Sequence, residues 1–573
     1  MKTALDVEHL LNPESLGQEI SYKYNEWANL RTKWIEEKKE LRNYVYATDT
    51  TTTTNKRLPW SNSTTTPKLT QIYDNLKANY SAALFPQSDW LRWEAEEGDP
   101  NLLQKARVIQ DYTRNKLRQS NFPREADRLI DDFILYGNCF ATVEYVSEYN
   151  EVNGELIAGY IGPRVVRISP YDIVFNPTAT SFENTPKIIK STVSLGGLRK
   201  TLEDKGKLDV YNKIYDNRRH VLKSSSQEKS DAYVADGFSN INHYYSSGYV
   251  ELLTFYGDIF DPLEEEFKYN RKITVVDRAY IVEDEEIASW LGAAPIFHAG
   301  WRNRPDNLYA MGPLDNLVGM QYRLDHLENL RADVFDQIAL PMLKVRGDVE
   351  DFEYEPGGRI FMGDDGDVGP LVPDATALQA DLQINLLVEK MEEMAGAPRQ
   401  AMGIRTPGEK TAFEVQTLQN SASRIFQHKA SQFEREFIEP VLNAMLEASR
   451  RNMDTQDVIR TIDDQTGAAL FSTITKEDIT SKGRIVPKGA RHFAERAQRV
   501  QNLTQLLQAR ADPSIGAHIS GKQTARLLTE EIGETSLFGD NVSIYEQIES
   551  QEAMNEASVD AEERSMIAEE EGL

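Results

Sequence analysis

Residues 312–340 read GPLDNLVGMQYRLDHLENLRADVFDQIAL. Leu317, Met320, Leu324, Leu327, Val334 and Ile338 recur there at three- and four-residue steps, which predicts a helix with one apolar stripe. Pro341 ends it, since proline lacks the N–H that would continue the ladder. Residues 341–374, PMLKVRGDVEDFEYEPGGRIFMGDDGDVGPLVPD, mix short strand-like runs with Gly and Pro turn signals and read as a compact insert. A second helix is predicted over 375–395. At 1.5 Å per residue the two helices would span about 40 and about 30 Å. Two helices leave a body, carry a small insert at their tip, and return.

The chain then enters a loop, 396–410, broken by Gly403, Pro407 and Gly408 and carrying three cations, Arg399, Arg405 and Lys410. In GIRTPGEKTAFEVQ (403–416), Thr411 and Glu414 have capping-box spacing and open a long helix. Val415, Leu418, Ala422, Ile425, Phe433, Phe437, Val441 and Met445 give that helix a continuous apolar face, and Pro440 is expected to kink it.

Upstream, residues 5–46 read as helix, with Ile20, Tyr24, Trp27, Leu30 and Trp34 on one stripe. The Thr-rich 47–67 is expected to be loop or extended chain. Helical patterns follow in 68–85 and between 101 and 137. The character then changes. CFATVEYVSEYN, ELIAGYIGPRVVRISPYDIVFNP, YVELLTFYGDIFD and KITVVDRAYIVEDEEIASW are rich in Val, Ile, Tyr and Phe and read as strands, with a polar, mostly helical 196–247 between them. The expected class is therefore α+β and mostly helical. Beyond 453 come a β piece, GAALFST, a strand-like RIVPKG, further helices and an acidic tail from 546.

The 573 residues, 40% hydrophobic and 27% charged, suit a globular chain with a substantial core. No apolar leader and no run of about eighteen apolar residues is present, so neither a secretory signal nor a membrane partner is expected. Cys139, the single cysteine, lies in an apolar stretch and reads as a small buried hydrophobe. The formal charge of −27 excludes an ordinary DNA-gripping protein, because such affinity comes from neutralising phosphates. It is compatible with handling DNA that must slide without sticking.

Catalytic chemistry is not legible. GAHISGKQT (516–524) approaches the phosphate-loop spacing, but Gln523 stands where a magnesium-holding hydroxyl belongs and no apolar strand precedes it. The eight histidines are scattered, with no zinc spacing. DDGDVG (364–369) lacks the order of a calcium loop. No catalytic residue, metal site or cofactor is expected.

In arrangement and in several short phrases the chain resembles the portal proteins of tailed bacteriophages, the head-to-tail connectors. The phrases are RPDNLYAMGPLDNLVGMQYRLDHLENL, MEEMAGAPRQAMGIRTPGEKTAFEV, FEREFIEPVLNAML and, upstream, LIDDFILYGNCFATVEYV. The resemblance covers most of the chain, and its strongest part is the order helix, acidic insert, helix, loop, Thr-capped long helix. It implies a wing over 1–312, stem helices at 313–340 and 375–395 around a clip at 341–374, and a tunnel loop at 396–410. The long helix and a wing β piece would occupy 411–486, and a crown with the acidic tail 487–573. It further implies a ring of identical subunits, usually twelve, at one capsid vertex of the virion, assembled in the host cytoplasm. Duplex DNA would pass through its channel without sequence specificity. Implied partners are the terminase motor, the major capsid and scaffolding proteins, and tail adaptor proteins.

On this resemblance Arg399, Arg405 and Lys410 would face DNA. Asp348, Glu350, Asp351, Glu353, Glu355, Asp364, Asp365 and Asp367 would form the docking face of the clip. Read without the resemblance, the three cations are a solvated turn and the acids a solvated surface. Two other functions stand beside this one: a multidomain hydrolase with a dispersed site, and another virion assembly protein such as a scaffold or tail component.

Overall fold

The computed structural model describes residues 16–46, 64–85, 90–95, 102–152, 155–218, 248–261, 265–287, 294–339, 341–350, 360–371, 379–396, 425–453, 456–462, 469–480 and 482–487. The chain divides into two compact units, one of Met1–Thr461 with Phe471–Ala490 and one of Ile462–Leu470 with Arg491–Leu573. Almost all described residues belong to the first.

That unit is α+β, with open antiparallel sheets and helices packed on them. Five strands form one meander in the order Ile173–Phe175, Lys187–Ser194, Tyr249–Asp261, Glu266–Val276 and Tyr280–Glu286. Each pairs with its sequence neighbour, so the only long connections are those that leave the sheet and come back. The helix Leu16–Leu30 lays Leu16, Ile20, Tyr24 and Trp27 on Val174, Ile188, Phe255 and Val275 of this sheet. Each such side chain, once fully buried, contributes about 1.5–3 kcal/mol. Leu195–Asp204 and Leu208–Arg218 supply Leu198, Leu202 and Ile214 to a smaller cluster with Val250, Val276 and Val282.

The larger core gathers around a second sheet, with Asn138–Val152 between Glu155–Ile168 and Ile296–Gly300. Helices Thr32–Val45, Lys68–Leu84, Leu102–Gln119 and Phe122–Leu135, and the helical run from 425 to 452, pack their apolar faces into it. Cys139 is fully buried there, and burial pushes its thiol well above the ordinary range.

Several expectations need correction. The helix read over 5–46 is two helices within its described part, Leu16–Leu30 and Thr32–Val45, broken at Arg31. Leu30 is 59% exposed, because the inward position of the stripe belongs to Arg31, 1% exposed. The Arg31 guanidinium donates to the carbonyls of Pro170, Tyr171 and Ile173 at 2.6–2.8 Å, so its charge is buried among fixed dipoles. Ile425 is likewise exposed and not part of a continuous apolar face. At Pro440, where a kink is expected, the chain adds a feature the sequence does not announce, a π turn over Glu434–Ile438 in which the Glu439 N–H donates five residues back to Glu434. That widening, immediately before a residue with no N–H to give, keeps the helix running to Asn452. Lys187–Ser194 is a strand that the sequence pattern does not announce, since it opens on lysine. Lys187 is buried, donating to Phe182 O at 2.7 Å with its ammonium 4.4 Å from the Phe182 ring centre.

Candidate functional site

The helix read from 312–340 is a 3-10 turn, Asp315–Leu317, followed by the α-helix Val318–Ala339. The second is the α-helix Asp381–Ala395, entered from 3-10 backbone at 379–380, and ends on Gly396 in the left-handed region at φ 72°; residues 375–378, where its start is expected, lie outside the described residues. Leu317 and Leu324 are buried, and Met320 and Leu327 pack partly buried against the main core. Val334 and Ile338, farther along the stripe, are only half-buried.

What fixes the base of this pair is polar. Gln321, Asp325 and Asn329 sit one turn apart on one side of the helix and read the backbone of the extended segment 64–69. Gln321 Nε2 donates to Thr66 O at 2.6 Å and to Asp325 Oδ1 at 2.8 Å, while its Oε1 accepts from Leu69 N. Asp325 Oδ1 also accepts from Thr66 N at 2.9 Å. Asn329 takes both the N–H and the hydroxyl of Thr64 on Oδ1 and returns Nδ2 to Thr64 O. Burial raises the Asp325 carboxyl above its usual range, against the pull of these donors. Lys68 crosses to the second helix, forming a buried ion pair with Glu392 and donating to Gln71 Oε1. Arg331 meets Asp381 at the other end, so the helices run in opposite directions with 64–68 wedged at their base. Lys38 reaches Asp315, whose other oxygen accepts Gly312 N at 2.8 Å. Burial lowers the Lys38 ammonium, with Asp315 opposing.

Between the helices, Met342–Arg346 and Asp367–Leu371 form an antiparallel pair, with an isolated bridge Val349–Met362 beyond. Gly347 has φ 80°, and a Cβ there would lie 2.0 Å from Asp365 O, so the turn requires glycine. Of the expected docking acids, Asp348, Glu350, Asp364, Asp365 and Asp367 are exposed on this hairpin, beside the exposed cations Lys344 and Arg346. Asp351, Glu353 and Glu355 lie outside the described residues, as do Arg399, Arg405 and Lys410, the Thr411–Glu414 capping box and everything from 488 onward. The structure therefore brings together five of the docking acids and none of the loop cations.

The apolar surface of the helix pair and hairpin is unusual. Tyr322, Phe335, Met342, Phe361, Leu382 and Leu386 are all exposed, Leu382 at 81% and Phe361 at 66%. With Leu330, Val345, Ile360, Met362, Leu371 and Met394 they make up more than half of the exposed large apolar side chains among the described residues. Sequence reasoning misses the polar ladder at the base. Its signal is nonetheless present: Gln321, Asp325 and Asn329 recur at four-residue spacing, beside the apolar stripe of the same helix.

Among the described residues no group of three or more His, Cys, Asp or Glu is placed to hold a metal ion, and no helix is long and apolar enough to cross a membrane. Compared with known protein families and with curated proteins, the chain matches none.

Proposed function

We propose that this chain is a portal-type connector: copies assemble as a ring, about twelve in number, whose channel passes duplex DNA into and out of a capsid. The observation that carries the reading is the antiparallel helix pair, pinned at its base by buried polar contacts and covered with exposed apolar side chains toward its hairpin tip. A two-stranded hairpin is marginal in water alone, and exposed apolar area on this scale marks an interaction surface. Neighbouring copies around a ring would cover it. The resemblance in arrangement and phrasing to portal proteins supplies the second support.

On this reading the chain does no chemistry, and an ATP-driven terminase docks on the hairpin acids, to be replaced by tail adaptors. The 396–410 loop, with Arg399, Arg405 and Lys410, touches passing phosphates at few points, because each added contact raises affinity and hence friction. Twelve chains at −27 each repel DNA over most of the remaining surface. Single-particle electron microscopy of the purified chain is the test. Rings with a hole of roughly 20 Å or more, wide enough for a duplex, are expected. A monomer at every salt concentration and protein concentration tried would overturn the reading.

A further inference from the structure

At the start of the described helical run that begins at 425, two cations share one aromatic ring. Trp301 is buried at 3% exposure, and its indole N–H donates to the Tyr80 hydroxyl at 2.9 Å. Its backbone N–H donates to Gly137 O at 2.8 Å, so both ends of the residue are fixed. Two cations rest on this one ring: the Arg302 guanidinium and the Lys429 ammonium each lie 5.1 Å from its centre. Arg302 is exposed, and makes no ion pair among the described residues. Lys429 is half-buried and, among the described residues, donates a long hydrogen bond, 3.3 Å, to Gln432 Oε1. The nearby carboxylate, Glu436, is engaged by Gln432 at 3.1 Å and by Arg435 at 3.3 Å.

Holding two like charges on one ring costs free energy that the ring quadrupole offsets only in part, since a cation–π contact at such a site is worth about 0.5–2 kcal/mol. Burial first, and Arg302 second, push the Lys429 ammonium below the ordinary lysine value, with the Glu436 carboxylate opposing them. An anion seated between or beside them would relieve that repulsion. On a chain of net charge −27, an exposed arginine with no acidic partner among the described residues is a place where a polyanion can bind at one point without being held along its length.

We propose that Arg302 and Lys429, presented on Trp301, form a phosphate-binding contact for the backbone of duplex DNA. Neither residue belongs to the 396–410 loop, from whose last cation, Lys410, Lys429 is 19 residues removed in the sequence. The choice of DNA as the polyanion rests on the connector reading; the anion contact itself does not.

The test uses the full chain in whatever assembly it adopts, titrated with a fluorescent random-sequence duplex over a salt series. Arg302→Gln with Lys429→Gln should reduce the slope of log K against log salt by about 2, one for each phosphate no longer neutralised. Lys429→Arg, which keeps the charge, should preserve the slope. Unchanged affinity and slope in a double variant that melts like the parent would overturn the proposal, as would a parent chain that binds no DNA at low salt. If the double variant still binds DNA but no longer assembles, the patch is a contact between copies and the proposal fails. A parent that forms no ring yet shows the slope change would sink the connector reading and leave the phosphate contact standing.

Discussion

The body of the molecule and its helix pair treat the same residue types in opposite ways. In the body, charges are buried and given partners: Arg31 with three carbonyls, and Asp132 with Arg167 in a two-pronged pair at 2.5 and 2.6 Å. On the helix pair and hairpin, Leu382, Phe361 and Phe335 stand in solvent, and at the base Gln321, Asp325 and Glu392 are buried beside Leu324, Ile384 and Met391. Large apolar side chains left in solvent together are the kind of surface that marks contact sites, and the connector reading rests on them. The body can be stable as one chain. On the connector reading, a neighbouring copy covers the hairpin.

The largest effect should come from the body. Arg31→Met removes three charge-assisted hydrogen bonds and strands the carbonyls of Pro170, Tyr171 and Ile173, for a loss of about 3–5 kcal/mol in urea unfolding. A loss under about 1 kcal/mol would show that water fills the site and would blur the contrast. At the base of the helix pair, Asn329→Ala should cost less, about 1–2 kcal/mol, because its contacts with Thr64 are exposed. Hydrogen exchange should rise at Thr64, whose N–H loses its acceptor, and not in the five-stranded sheet.

In that sheet, a pH series isolates Glu283. Burial by itself would raise its carboxyl, but hydrogen bonds from Lys205, Lys272 and Thr274 hold it down to about 2 against an ordinary 4.5. The folded value is the lower one, so Glu283 adds stability above pH 4.5 that is lost as pH falls toward 2. Glu283→Gln should flatten the thermal-stability profile in that window and leave the neutral region little changed in slope. The smallest effect on the single chain is expected at Leu382→Ser. At 81% exposure it should change unfolding free energy by no more than about 0.5 kcal/mol, while lowering the fraction assembled in mass photometry. If it destabilises the monomer as a core leucine would, the helix pair is packed internally and the comparison breaks.

The sequence is a good guide wherever one face of one element carries the signal. Ile20, Tyr24 and Trp27, and likewise Phe433, Phe437, Val441 and Met445, lie buried as their spacing requires. The failures share a cause. Leu30 reads as inward because leucine is apolar, yet Arg31 holds the inward position through carbonyls some 140 residues away. Lys187–Ser194 does not read as a strand because a lysine opens it, and in the folded chain the carbonyls of Phe182 and Glu183 receive that buried ammonium. Among the candidate site residues, composition finds the hairpin acids, but it does not weigh the exposed Lys344 and Arg346 beside them.

By itself, then, the sequence determined the class, α+β, the order of helix, hairpin and helix, and the burial of stripes built from apolar residues. These follow from propensity and periodicity, which act over a few residues. The tertiary structure alone decided which polar side chains go inside: Arg31, Lys38, Lys68, Gln321 and Glu392 are buried by partners distant in sequence. A polar group can leave water only where its hydrogen bonds are met, and that is a property of the place and not of the residue.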